Sequence, residues 1–157
     1  MSYLIRSAQV SDAFALADLL REIGYFSWIN DTSPELTRDR ISTHLSMCLA
    51  DASHNVYVAC PKEEHAGILG YVSVHWLPYL LNRGPEGYVS ELFIRPSARG
   101  QGIGSALLDT AIAEARRRGC DRMRLLNMRH RESYLRGFYK KHGWEEREDA
   151  ATFQLAL

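Results

Sequence analysis

The stretch Arg99-Gly100-Gln101-Gly102-Ile103-Gly104 constrains this chain more than any other. It follows a strand-like run, Tyr88 to Ile94, and a turn at Pro96, and it opens into a helix-like run from Ile103 to Arg118. Glycines at three alternate positions leave almost no side-chain bulk, so a ligand can approach the backbone closely. Successive main-chain N–H groups at a helix N-terminus attract an anion, and the helix dipole reinforces them. Arg99 adds a fixed positive charge, and the whole suits a phosphate or diphosphate. A P-loop would need a lysine at the loop's end, but Gly104 is followed by Ser105. A dinucleotide loop would need its third glycine one position later and an acid closing the next strand, whereas Asp121 begins it.

At 157 residues the chain suits one domain with a sizeable core, spanning 1–157. Its 46% hydrophobic and 24% charged residues are ordinary for a soluble globular protein. No apolar run approaches the length of a membrane span, and Met1 to Gln9 holds no basic region leading a long apolar run. A cytoplasmic location without a membrane partner is therefore expected. Cys48, Cys60 and Cys120 are scattered and odd in number, so reduced thiols are predicted. The six histidines show no metal-ligand spacing, and no metal is expected. Charge is unevenly spread: residues 1–94 hold six Lys/Arg against eleven Asp/Glu, and residues 95–147 hold thirteen against six. A basic half around the glycine loop suits a polyanionic ligand, and an acidic half suits a cationic amine. The alternative is that runs such as Arg116-Arg117-Arg118 are solvated helix faces.

Tyr3 to Arg6 reads as a first strand. Ser11-Asp12 can cap a helix through Ala13, Leu16, Leu19, Leu20 and Ile23, stopped by Gly24. Tyr25 to Thr32 is aromatic but flanked by turn residues, and reads as loop. Ser33-Pro34-Glu35 starts a helix that carries Ile41, Leu45, Cys48 and Leu49 at helical spacing. Strands are predicted over Val56 to Cys60 and Gly67 to Trp76, joined by a hairpin turn from Pro61 to Ala66, and then over Tyr88 to Ile94 after a loop from Leu77 to Gly87. After the glycine-loop helix, capped by Gly119, come a strand Asp121 to Met128 and a short helix Ser133 to His142. Two final strands are predicted, Trp144 to Arg147 and Thr152 to Leu157.

The pattern Arg-x-x-Gly-x-Gly between strand and helix resembles the acyl-CoA diphosphate loop of the GNAT acetyltransferase superfamily. Phe138-Tyr139-Lys140-Lys141-His142-Gly143-Trp144 resembles the same family's second signature. The order β-α-α-β-β-β-α-β-α-β-β also matches. The resemblance implies an α/β (α+β) fold, with a mixed, mostly antiparallel sheet and helices on both faces. It implies an N-acetyltransferase moving acetyl from acetyl-CoA to a primary amine by direct attack in a ternary complex.

Such chemistry needs a base for the amine, donors for the oxyanion and help for the leaving thiolate. Strict alternation would turn Val89, Glu91 and Phe93 one way and Ser90, Leu92 and Ile94 the other. A carboxylate mid-strand is costly unless it is paired or functional, and the resemblance casts Glu91 as general base, often through water. It assigns the cofactor to the backbone of Leu92, Phe93 and Ile94 and to the loop Arg99, Gly100, Gln101, Gly102, Ile103, Gly104 and Ser105. It casts Tyr139 as general acid for the thiolate, against the alternative of a core tyrosine. Asn127 is a second polar site; some relatives that acetylate protein N-termini carry glutamate there. Glu132 stands where many relatives have a cofactor-bonding asparagine, and a carboxylate does not donate that bond, which leaves Ser133 as substitute. The resemblance puts the amine pocket near Tyr25, Phe26, Trp28 and Asp31 and near the loop from Tyr79 to Asn82. Aromatics with one acid suit a cation; alternatively these aromatics are core or the surface of a homodimer.

Two rival readings share these residues: a catalytically weak acyl-CoA sensor of the same fold, and a nucleic-acid binder using the arginines of 95–147. The last lacks interleaved aromatics or a recognised motif, so no nucleic-acid partner is expected.

Overall fold

The first helix, α1 (Ala13–Ile23), follows the predicted apolar spacing and stops at Gly24, whose φ of 71° is the left-handed conformation that glycine tolerates. This computed structural model describes residues 2–62 and 67–157. Before α1 lies the strand β1 (Tyr3–Ser7). Asp12 stands at the N-cap of α1, as expected, but its side chain makes no capping bond to the helix. Its carboxylate instead takes a two-pronged bond from Arg6, at 2.7 and 2.8 Å, and accepts the Gln9 N–H at 2.8 Å. Burial pushes the Asp12 carboxyl up, but those bonds outweigh it and leave the group below its ordinary value. The aromatic segment expected as loop contains a one-turn helix, α2 (Ser27–Asn30). The third helix, α3 (Pro34–Cys48), starts as predicted, with the Ser33 hydroxyl accepting the Leu36 N–H.

Four antiparallel-paired strands, β1, β2 (His54–Pro61), β3 (Gly70–Leu77) and β4 (Glu86–Ile94), and a parallel fifth, β5 (Arg122–Leu125), form one sheet in chain order. Residues 63–66, most of the expected hairpin turn, lie outside the described residues. On one face Val56, Val58 and Tyr71 join Leu16, Leu19 and Leu20 of α1 and Leu45 of α3 in a single core. The alternate residues Ala59, Val72 and Val74 are fully buried on the opposite face. That face is covered by α4 (Ile103–Arg117), which packs against β2, β3 and β4. Ile103, Leu107, Leu108 and Ala111 are its buried stripe, as the spacing predicts.

Several arginines of the basic half are occupied at this end of the sheet. Glu86, only 1% exposed, is paired with Arg122 and, at 3.1 Å, with Arg124. The Arg118 guanidinium lies 4.8 Å over the Trp76 ring and bonds Glu114 at 2.6 Å. Bonds from Arg117 and Arg118 hold the Glu114 carboxyl down to about 2. Arg118 therefore helps anchor the fold, whereas Arg116 and Arg117 are exposed, as the solvated-face alternative for the triplet expects.

The chain divides into two compact units, the second being Leu126–Leu157. In the second, the helix expected from Ser133 to His142 is two single turns, α5 (Glu132–Leu135) and α6 (Phe138–Lys141). Gly137, with φ 65°, breaks them apart. β5 ends at Leu125, short of the expected Met128, and none of the described residues 144–157 forms a strand. A strand is held by a neighbour's hydrogen-bond ladder, whatever its own alternation. Here Phe153, Leu155 and Leu157 alternate as a strand would, yet all three are exposed. Among the described residues no helix is long and apolar enough to cross a membrane.

Candidate active site

Strand β4 departs from strict alternation at one residue. Ser73 faces Glu91 across the β3–β4 ladder, and Val74 faces Val89, so Ser90 is an extra, bulged residue. The bulge puts Val89 on the α4 face with Val74 and turns Glu91 to the other face, beside Tyr71 and Ser73. The expectation that Val89 and Glu91 point the same way is therefore corrected; Glu91 and Phe93 do share a face. Ser90 is held by its hydroxyl, 2.9 Å from His75 Nε2.

The parallel ladder of β4 with β5 covers Glu86 to Val89 only. From Ser90 onward, β4 is bonded to β3 on one side and is not laddered to β5 on the other. The Arg95 N–H turns toward β3, bonding Leu69 O at 2.7 Å. Counting back along an extended strand, the N–H and C=O of Ile94 and Leu92 turn toward the open edge, and those of Phe93 toward β3. Of the three residues expected to offer backbone groups, two are so directed. Phe93 faces the helices instead, its ring 5.5 Å from that of Phe26.

Beyond a single turn at Pro96–Ala98, the glycine loop enters α4. Gly100 and Gly102 have φ of 75° and 78°, which explains two of the three glycines by conformation. Gly102 is the N-cap, so the N–H groups of Ile103, Gly104 and Ser105 have no acceptor within the helix. The space where a Cβ would stand at Gly100 or Gly102 is open. Arg99 is exposed and reaches the Tyr25 hydroxyl at 3.4 Å.

Glu91 forms part of a cavity of about 230 Å³ between α1, α3 and the sheet. Leu16 and Leu20 of α1, Phe26, Trp28 and Ile29 around α2, and Val56 of β2 line it. From α3 come Ile41, His44, Leu45 and Cys48, and from the sheet Tyr71, Ser73 and Glu91. The carboxylate is reached by solvent, yet protein surrounds it on the cavity wall. That desolvation pushes the Glu91 carboxyl above its ordinary value, partly offset by the Tyr71 bond and the nearby His44. The Tyr71 hydroxyl donates to Glu91 Oε2 at 3.2 Å. Burial and then the Glu91 charge raise the Tyr71 phenol well above 10, so it keeps its proton and donates it in this hydrogen bond. The same two causes raise the Cys48 thiol, which stays protonated.

Of the expected pocket residues, Phe26 and Trp28 meet Glu91 in this cavity, while Tyr25, Asp31 and Tyr79 are exposed and do not line it. The acid accompanying the aromatics is Glu91 rather than Asp31. His44, Tyr71 and Ser73 were not singled out from sequence. Helical spacing could have found His44, three residues after Ile41 and four before Cys48; strand alternation could have found Tyr71 and Ser73.

In the second unit, the Ser133 hydroxyl donates to Asn127 Oδ1 at 3.1 Å. Glu132 is exposed in the first turn of α5. The Tyr139 ring packs against Phe138 and Trp144, with centroids 5.0 and 6.0 Å away. Burial pushes its phenol up to about 12.

The sequence profile described as the Acetyltransferase (GNAT) family matches residues 15–144. An aminoglycoside N(6')-acetyltransferase type 1 of Stenotrophomonas maltophilia is 28% identical, over 98% of this chain and 93% of its own. A thialysine N-epsilon-acetyltransferase of Bos taurus is 25% identical, over 78% of this chain and 72% of its own. In the same fold, a crystal structure described as a transcriptional regulator from Bacillus halodurans superposes with a TM-score of 0.82 at 24% identity, covering 99% of this chain and 100% of that one.

Glu91 is placed at a cost to stability, which gives a testable sign. An acid whose folded-state pKa is raised destabilises the fold above that pKa and is neutral in effect below its unfolded value. Glu91→Gln is therefore expected to raise the melting temperature at about pH 7.5, with the gain vanishing near pH 4. Thermal unfolding at the two pH values checks this; an equal or lower melting point at neutral pH would make Glu91 a structural residue.

Proposed function

The chain belongs to the GNAT acetyltransferase family, and from that premise we propose that it transfers acetyl from acetyl-CoA to a primary amine by direct attack in a ternary complex. The supporting observation is the position of Glu91: a raised carboxyl on the wall of a largely apolar cavity, beside the unladdered edge of β4. The names of the two relatives, which act on an aminoglycoside and on thialysine, both describe transfer to a nitrogen. Both units, residues 1–157, are taken to act as one acetyltransferase domain.

Acetyl-CoA supplies the activated thioester; the chain's residues hold and orient the reactants. The outward N–H and C=O groups of Leu92 and Ile94 suit pantetheine amides, which would add to β4 like another strand, with Phe93 packing behind. The same edge N–H groups can stabilise charge on the thioester oxygen. The turn from Arg99 and Gly100 through Gln101 and Gly102 to Ile103, Gly104 and Ser105 offers backbone N–H groups and one guanidinium to a diphosphate. An alkylamine of pKa about 10.4 is mostly charged at neutral pH and must lose a proton before it attacks. Glu91 takes that proton, directly or through one water, and its raised pKa makes it the stronger base.

Tyr139 serves the departing sulfur. A phenol near 12 keeps its proton at neutral pH. Full transfer to a thiolate of pKa about 8.5 is uphill, so its contribution is a hydrogen bond to developing charge, with solvent completing the protonation. Ser133 has committed its hydroxyl hydrogen to Asn127 and would meet the cofactor as an acceptor, unlike the asparagine it was expected to replace.

Thiol release from acetyl-CoA in the presence of primary amines tests the reading. Glu91→Gln is expected to slow turnover about 10²- to 10⁴-fold at pH 7, with the loss shrinking at high pH, where free amine is abundant. CoA binding without any turnover would favour the sensor reading instead.

Tyr139→Phe keeps the aromatic packing and removes only the hydroxyl. It is expected to lower kcat about 10- to 1,000-fold with little change in the Kd for acetyl-CoA. A loss confined to folding or binding would return Tyr139 to a core role.

Gly102→Asp adds a negative charge at a φ of 78°, directly at the start of α4. CoA affinity measured by calorimetry is expected to fall more than about tenfold in a variant that keeps its circular dichroism. Unchanged affinity would remove the loop from the binding site.

A further inference from the structure

The cavity that contains Glu91 also limits the acceptor. Nine of the thirteen described residues lining it are apolar. None is Lys or Arg, and Glu91 is the one carboxylate. We propose that the acceptor is a compact primary amine with a single positive charge on an aryl or branched-alkyl body. The inference rests on the acyl-transfer reading above.

Three physical arguments converge on this class. Volume comes first: an apolar cavity of roughly 150 Å³ already holds a benzene ring, and drug-sized ligands need about 300 Å³ or more. The 230 Å³ here fits one ring and a short alkyl arm. Polarity comes second. The hydroxyls and extra ammonium groups of an aminoglycoside would leave water for a wall whose polar side chains are His44, Tyr71, Ser73 and Glu91. Tyr71 already donates its hydroxyl hydrogen to Glu91, so most of the groups that entered the cavity would find no partner. Charge comes third. An amino acid such as lysine brings a carboxylate, which Glu91 repels and no lysine or arginine of the wall offsets. A lone ammonium meets Glu91, while its body meets Phe26, Ile41 and Leu45. Trp28, 43% exposed, stands where an aryl ring would enter.

The test is a thiol-release panel on the full chain, with phenethylamine and 4-phenylbutylamine against lysine, spermidine and an aminoglycoside. The phenylalkylamines are expected to show kcat/KM about 100-fold or more above the others. Trp28→Ala is expected to narrow that gap through a higher KM for the aryl amines. Comparable or better turnover of lysine, spermidine or the aminoglycoside would overturn the inference while leaving acyl transfer intact. No thiol release from any amine would overturn acyl transfer. Tryptophan fluorescence then decides the cavity: saturable quenching by phenethylamine, weakened in Glu91→Gln, supports the apolar monoamine site, and no response overturns it.

Discussion

The β4–β5 ladder ends at Val89 and Leu125, and the candidate chemistry depends on that ending. A sheet normally satisfies its backbone groups strand by strand. Here the second half of β4 is laddered on one side, and alternation leaves the N–H and C=O of Leu92 and Ile94 turned outward. Such an edge is a liability in most proteins and an asset where an extended ligand can complete it. The bulge at Ser90 works with it, because one extra residue turns Glu91 from the α4 face to the cavity face. The backbone edge and the carboxylate thus lie on consecutive residues but point to different clients.

Glu91 illustrates a tension common to active sites. The surrounding protein disfavours its charge, which weakens the fold and strengthens the base. Tyr71 tempers the effect through a neutral donor, and among the described residues no arginine bonds Glu91. Glu86, on the same strand, shows the contrast: 1% exposed, it is paired with two arginines.

That contrast also reinterprets the uneven charge. Much of the positive excess after residue 94 is bound up with the acids of the sheet and helix ends, in Glu86 with Arg122 and Arg124 and in Glu114 with Arg117 and Arg118. What the basic half offers at the glycine loop is chiefly Arg99 and the orphan N–H groups of α4. Likewise, the acidic half brings one carboxylate to the cavity, so its excess acts through the long-range field more than through contact.

The sequence by itself determined the helices α1, α3 and α4 and the sheet strands, because their apolar periods, the cap at Ser33 and the stop at Gly24 are local signals. It determined the glycine loop for the same reason: a positive φ at Gly100 and Gly102 is written in residue type. Glu91 was legible as a carboxylate out of place. Only the tertiary structure decided what meets it. A bulge is set by cross-strand register, which no single strand encodes, so the side of Val89 was misread. His44, Tyr71 and Ser73 arrive from two other elements, and Asp31, near Trp28 in sequence, does not line the cavity. The alternation of Phe153, Leu155 and Leu157 suggested a strand that the fold does not form, because pairing is a property of the partner as much as of the segment.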